Sequence, residues 1–289
     1  MTRASPDGTG RNMLTRIGLS LFLSVQILSL GVVPASAAPA AEPWSFWAAS
    51  DPVGKVRVNH DPWDRFLKKY VVTNHPSGIN EVRYASVTPE DRKALDAYLA
   101  RLQQVEVTRL PRDEQRAYWI NLYNALTVSV VLTHYPVKSI RDIGISPGIF
   151  TRGPWGAKLM TIQGQKVSLN DIEHRILRPL WKDNRIHYAV NCASLGCPNL
   201  QPAAYTPGNT ETLLEKGARE YVNQERGARW EGNRLYLSSI YDWFQADFGD
   251  SEEGVILHLL QYAEPDLAKK LKNFHGKISY DYDWRINEP

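Results

Sequence analysis

Both cysteines of the chain fall in one short stretch, His187-Tyr188-Ala189-Val190-Asn191-Cys192-Ala193-Ser194-Leu195-Gly196-Cys197-Pro198. Any thiol chemistry starts here. In an oxidising compartment, two cysteines five apart would pair as a disulfide, a staple that stabilises by about 2 kcal/mol through loop closure. Alternatively one of them is a nucleophile, which requires neighbours that favour the thiolate. Cys192 is the better placed, because Asn191 can cap a single helical turn through Leu195, ended by Gly196, which would set Cys192 at its first position, where backbone N–H groups converge. Cys197 instead enters Pro198-Asn199-Leu200-Gln201-Pro202, where two prolines deny it a following helix. A papain-type cysteine opens a long helix, so the sequence argues against the standard form of that fold and leaves a rearranged version open. A redox-active pair is a third option, weakened by a four-residue spacer that departs from Cys-x-x-Cys.

A nucleophile needs a base, and the chain has seven histidines. His174 sits beside Glu173. His187 lies five residues before Cys192 but on the opposite face of the strand expected there. His134 is explained more simply as a cation-capable residue at a helix C-terminus. A second constellation is Asn121 with Asn124, three apart on one helical face and flanked by Tyr118, Trp119 and Tyr123. Asparagines inside an apolar helix demand partners. Either they tie the helix to irregular loop backbone, or they recognise a polar ligand or donate to an oxyanion. Only the second role predicts a folded, inactive Asn121→Asp variant. The catalytic scheme that follows has Cys192 attacking, His174 or His187 as base, Glu173 orienting the base and Asn121 stabilising the oxyanion, with Cys197 as the second thiol. Asn124, Tyr123, Trp119 and Asn191 are candidate ligand-binding residues.

The elements that must position these groups are read from periodicity and caps. Pro62 to Val72 has amphipathic helical spacing, and Val82 to Val87 reads as a strand. Thr88 caps a helix with Pro89 at its first position, running to about Val105. Pro111 opens a helix to about His134, stopped by Pro136. Residues 137–167, with five Gly and two Pro, read as a surface excursion with one hairpin around Gly164. Ser168 to Asp171 is a capping box for a helix over Leu169 to Leu177, stopped by Pro179. Arg185 to Asn191 alternates polar and apolar residues, as a half-buried strand does. Thr210 to Gln224 is a helix, and Trp230 to Ser238 a hairpin turning at Gly232-Asn233. Helices over Ser239 to Phe248 and Glu252 to Tyr262 precede a strand over Lys277 to Asp281. Tyr241, Phe244 and Phe248 fall at helical spacing as core, while Asp242 and Asp247 can cap or pair with arginines. Helices outnumber strands without a βαβ rhythm, so the fold class is α+β: one compact domain over residues 44–289, with helices on a small, mostly antiparallel sheet.

Residues 1–37 read as a secretory signal. Arg11 and Arg16 precede an apolar run from Ile17 to Val33, and Ala35-Ser36-Ala37 offers a cleavage site. Met13 is an alternative start, and a retained membrane anchor is the lesser reading of the apolar run. Export would place the protein in the periplasm or outside the cell, with no membrane insertion after cleavage. Loss of the leader removes three Arg and one Asp and takes the formal charge from +3 to +1. With no basic stripe, nucleic-acid binding has little support. The spacing of His, Cys and acids matches no zinc pattern, and neither a phosphate-binding glycine loop nor a Gly-x-Ser-x-Gly elbow is present. No metal and no cofactor is expected.

Four motifs, Tyr118-Trp119-Ile120-Asn121-Leu122-Tyr123-Asn124-Ala125, Ser168-Leu169-Asn170-Asp171-Ile172-Glu173-His174, the two-cysteine segment and the closing Tyr282-Asp283-Trp284, together resemble the domain of unknown function family 547. The resemblance spans most of the chain after the leader. Trp284-Arg285-Ile286-Asn287 stands where the family pattern expects Trp-Ser-Leu-Asn. The resemblance implies a bacterial secreted protein or a plant protein and names no substrate. The sequence therefore supports a cysteine-dependent hydrolase or acyl-transfer enzyme acting on amide or thioester-type bonds. Its alternative is a non-catalytic binding domain with a Cys192–Cys197 disulfide and a cleft for a peptide, glycan or small polar ligand.

Overall fold

Helix α3, Arg112–His134, is buried without a break from Glu114 to Val128 and organises everything around it. A helix covered on every side must be wrapped by other elements. The computed structural model describes residues 39–148 and 151–289; the expected leader, residues 1–37 with Met13, lies outside the described residues. Ala37–Pro289 forms one compact unit. Its mix of helices and small sheets is α+β.

Ahead of α3 stand α1, Asp61–Tyr70, and α2, Pro89–Leu102. Helix α1 buries Trp63, Phe66, Leu67 and Tyr70 on one face. The expected start of α2 is seen: Thr88 Oγ1 accepts from Asp91 N–H at 3.2 Å, with Pro89 in the first turn. The strand expected over Val82 to Val87 shrinks to β2, Glu81–Val82, paired with β1, Val71–Val72. Beyond Val82 the backbone closes on itself, Ser86 N–H to Arg83 O and Val87 N–H to Tyr84 O, leaving no donors for a longer ladder.

The excursion after α3 carries the expected hairpin, β3 Met160–Ile162 with β4 Gln165–Val167, turning through positive φ at Gln163 and Gly164. The capping box also forms, with Ser168 Oγ accepting from Asp171 N–H at 3.1 Å and Asp171 Oδ2 accepting from Ser168 N–H at 2.8 Å. The helix it opens is π-helical over Asp171–Leu177 and does not stop at Pro179: it continues as α4, Arg178–Trp181. Arg178 N–H reaches back five residues to Glu173 O. Where the wide π turn narrows to an α turn one N–H has no partner to serve, and Pro179, which has none, fits there.

The strand expected over Arg185 to Asn191 is absent. Asn184–Tyr188 is a 3-10 helix, capped by the Asp183 carboxylate on Arg185 N–H at 2.9 Å. Ile186, His187 and Tyr188 are all buried, so the alternation that suggested a strand does not sort inside from outside. The C-terminal third packs α5, Thr210–Val222, and α7, Glu252–Tyr262, against a sheet of β5 Ala228–Glu231, β6 Arg234–Ser238 and β7 Ile278–Asp281. β5 and β6 form the antiparallel hairpin around Gly232, and β7 joins β6 in parallel. The helix expected over Ser239 to Phe248 breaks at Phe244 into α6, Ser239–Trp243, and a 3-10 turn, and α8, Pro265–Lys272, was not anticipated. Among the described residues no helix is long and apolar enough to cross a membrane.

Candidate thiol site

Asn191 is held from three sides. Its N–H donates to Asn124 Oδ1 at 2.8 Å, its Nδ2 donates to Pro198 O at 2.7 Å, and its Oδ1 accepts from Ala193 N–H at 2.9 Å. The last bond is an Asx turn rather than a helix cap, and it carries Ala193 into the left-handed region at φ +58°. No helical turn follows Cys192. A left-handed alanine costs on the order of 1 kcal/mol, which the buried loop absorbs.

The turn brings the cysteines together as free thiols rather than a disulfide. Cys192 N–H donates to Cys197 Sγ at 2.8 Å, and the Cys197 side chain favours the charged form of the Cys192 thiol. Cys192 is half-buried and Cys197 buried. Cys192 Sγ also lies 3.1 Å from Ser194 Oγ and 3.0 Å from the Tyr282 hydroxyl, which are themselves 3.2 Å apart. Burial pushes both thiols up. For Cys192 it is outweighed by hydrogen bonds from Cys197, Ser194 and Tyr282, leaving its pKa below that of a free thiol. Cys197, with burial and the adjacent Cys192 charge acting together, is held well above it. Of the two, Cys192 is thus the more readily ionised thiol and Cys197 the less.

Tyr282 arrives because residues 194–196 pair with the chain after β7. Leu195 N–H donates to Arg285 O and Gly196 N–H to Asp283 O, both at 2.8 Å. A Cβ on Gly196 would stand 2.8 Å from Asp283 N, so this approach requires glycine. Gly196 and Tyr282 line an open groove of about 1010 Å³, with Trp284, Arg226, Lys138 and Arg285 along it. Tyr282 packs against Trp243 at 4.9 Å and Trp284 at 4.6 Å between ring centroids.

The histidines are elsewhere. His187 Nε2 meets Asp247 Oδ2 at 2.7 Å, and its Nδ1 lies 3.7 Å from Glu173 Oε1. Arg178 Nε donates to the same Asp247 oxygen at 2.6 Å, while its Nη1 contacts His174 Nδ1 at 3.1 Å. Phe244 stacks on His187 at 4.4 Å. Burial opposes the charge on His187, but Asp247 and Glu173 overcome it and raise its pKa. Glu173, despite burial, is brought down to about 2 by His174, His187 and Arg178. His174 is lowered, chiefly by burial. Neither histidine hydrogen-bonds a cysteine, so the expected Cys–His pair is not formed. Among the described residues no cluster of three or more His, Cys, Asp or Glu is arranged for a metal ion.

Residues 107–222 match the model of a family described as Protein of unknown function, DUF547. Over that segment the chain is similar to the DUF547 family. Neither a curated protein nor a solved structure matches it. The DUF547 segment holds α3, the capping-box helix and both cysteines, but Tyr282-Asp283-Trp284 lies beyond it.

Within the segment, Asn121 and Asn124 are side-chain mimics of a β-ladder. Asn121 Nδ2 donates to Tyr205 O at 2.7 Å and its Oδ1 accepts from Tyr205 N–H at 2.9 Å; Asn124 treats Ala189 O and Asn191 N–H the same way. Both are buried and engaged with loop backbone, the tying role the sequence also allowed, and each keeps one further Nδ2 hydrogen outside these bonds. Trp119 is wholly buried, edge-on to Trp47 at 4.9 Å, and faces no cleft. Tyr123 is buried with its hydroxyl beside Glu173, between the histidine cluster and the cysteines. Sequence reasoning gave no role to Tyr282, Ser194 or Arg178. Tyr282 and Ser194 sat inside quoted motifs, and their closeness to the thiol was the missing signal. The expected pairing of Asp247 with an arginine is present in Arg178.

Proposed function

We propose that this protein is a thiol–disulfide exchange catalyst in which Cys192 attacks and Cys197 resolves. The observation that supports it is a half-buried Cys192 sulfur, 3.1 Å from Ser194 Oγ and 3.0 Å from the Tyr282 hydroxyl, whose own N–H is hydrogen-bonded to the buried Cys197 sulfur. An attacking thiolate and a resolving thiol are what exchange consumes. The Cys192 thiolate attacks one sulfur of a partner disulfide, forming a mixed disulfide and expelling the partner's other sulfur as thiolate. The Cys197 thiol then attacks Cys192 Sγ, closing the internal disulfide and passing its proton to the second departing thiolate. No histidine base is needed, because the nucleophile is the more readily ionised thiol and thiolates leave without a general acid. Amide hydrolysis needs that acid, and the histidines are committed to Asp247, Glu173 and Arg178. Export to the periplasm or medium, expected from residues 1–37, belongs to the same proposal and would supply disulfide partners.

A second reading, Cys192-dependent transfer of a thioester's acyl group, is favoured by the two hydroxyls of Ser194 and Tyr282 that converge on the sulfur. Oxidised glutathione followed by mass spectrometry separates the two. Exchange predicts that the wild type loses two hydrogens and retains no glutathione, that Cys197→Ala retains one, and that Cys192→Ala retains none. A wild type that keeps its glutathione overturns exchange and leaves acyl transfer.

A further inference from the structure

The group that controls the Cys192 sulfur comes from outside the DUF547 match. Tyr282 follows β7, in a part of the chain joined to the cysteine loop by the backbone pairing at Leu195 and Gly196. We infer that the Tyr282 hydroxyl is a catalytic group, donating to Cys192 Sγ to hold the attacking thiolate and stabilising the same sulfur as a leaving group when the internal disulfide is reduced. The inference rests on the exchange reading for its second half only.

The geometry carries it. The hydroxyl is 3.0 Å from the sulfur and its ring is fixed between Trp243 and Trp284, so little side-chain freedom is lost on donation. Burial and the adjacent thiols keep the phenol protonated far above neutrality, so it remains a donor while Cys192 is charged. Among the described residues, the charged and titratable groups facing Cys192 are Cys197, Tyr282 and, further off, Glu173, Tyr123 and Tyr84; Glu173 opposes the thiolate, and none of the described cations hydrogen-bonds the sulfur. Arg226 lies nearer Cys197 and Tyr282, donating to Leu195 O at 2.8 Å. The thiolate is therefore supported by the Cys197 thiol first and then by the hydroxyls of Ser194 and Tyr282.

Exchange adds a linked consequence. A donor that stabilises the thiolate stabilises the reduced protein over the disulfide by the same factor, which makes the disulfide more oxidising. Tyr282→Phe keeps the ring and deletes the donor. At pH 6 alkylation of Cys192 by iodoacetamide is expected to slow about tenfold, with the midpoint of its pH profile displaced upward by about one unit, since a hydrogen bond to a charged group is worth roughly this much. In glutathione buffers, at a pH where the wild-type sulfur is ionised, the equilibrium should move about tenfold toward the disulfide, or about 30 mV. An unmoved alkylation profile overturns the inference. A displaced profile with no change in the redox equilibrium, or no disulfide in any glutathione buffer, upholds the donor role and overturns the exchange reading. Should Tyr282→Phe fail to fold, 3-fluorotyrosine at position 282 serves instead: it is nearly isosteric and a stronger donor. It must move the profile down, and an upward displacement overturns the inference.

Discussion

Asn124 Oδ1 accepts the backbone N–H of Asn191 at 2.8 Å while its Nδ2 donates to Ala189 O at 2.9 Å, so one side chain of the central helix sets the backbone that presents Cys192. The chain at Ala189–Asn191 has no strand beside it. A primary amide carries the same donor and acceptor as a peptide group, and here it substitutes for the missing neighbour.

Asn124→Ala should therefore cost more than an ordinary polar truncation. It strands a buried N–H and a buried carbonyl at once, for a loss of about 2–6 kcal/mol at roughly 1–3 for each orphaned group. Urea denaturation monitored by tryptophan fluorescence measures this. A loss below about 1 kcal/mol would mean that water or a rearranged loop satisfies those groups and that Asn124 does not set the site.

Helices with apolar periodicity and a named cap were legible in the sequence: α2, α3, α7 and the hairpin at Gly164 follow local signals that the structure repeats. The elements that were missed share a cause. Arg185 to Asn191 alternates like a strand, yet burial on both sides and caps from Asp183 and Asn124 decide its conformation, and both caps act from outside the window. Pro179 reads as a stop only in an α-helix, and a π turn removes the conflict. The thiol pair was legible as a pair. Its state was not, because Tyr282 is brought to Cys192 by pairing between segments ninety positions apart, which no spacing rule encodes.

The buried charge cluster predicts a pH window of its own. His187 is raised above its ordinary 6.5, so its contribution is complete below 6.5 and is lost as pH rises through the folded value. Asp247 and Glu173 are lowered from 3.8 and 4.5, so theirs is complete above about 4.5 and lost as pH falls through the folded values. His187, Asp247 and Glu173 together thus stabilise most between about 4.5 and 6.5, while His174, lowered by burial, acts against them as pH falls below 6.5. The Cys192 thiolate acts in the opposite direction at alkaline pH, so the useful quantity is the difference between wild type and His187→Gln. That difference, from urea midpoints between pH 6.5 and 9, should shrink as pH rises; a constant difference would show that His187 is not held charged.

His60 predicts the reverse slope on the acid side. Burial lowers it from 6.5 to about 4, and its Nδ1 meets the Tyr98 hydroxyl at 2.6 Å while Nε2 has no partner. The unfolded chain binds its proton below 6.5 and the folded chain does not until about 4, so stability falls as pH falls across that interval. The full effect is about 3 kcal/mol at 1.36 per pKa unit. His60→Gln should flatten the wild-type acid slope by an amount of this order, in denaturation curves taken at pH 6.5 and 4. Parallel slopes in the two proteins would place the acid sensitivity elsewhere, on His258 or His174, which burial lowers in the same way.

Gly196→Ala tests whether the thiol site depends on the pairing of two distant segments. The new Cβ would lie 2.8 Å from Asp283 N and 3.0 Å from Asp283 O, both backbone atoms that cannot swing aside as a side-chain end does. Relief requires the 194–196 and 283–286 segments to part, and Tyr282 leaves with the second of them. The methyl group removes no hydrogen-bonding atom and lies four positions from Cys192, so a change at Cys192 is expected to be transmitted through that displacement. The expected result is a lower melting temperature together with slower alkylation of Cys192 at pH 6, in the direction of Tyr282→Phe. In the double variant Gly196→Ala/Tyr282→Phe the alkylation rate should fall no further than in Tyr282→Phe alone, because both act on one donor. Additive slowing would mean that Gly196 acts on the sulfur by another route, through the loop itself.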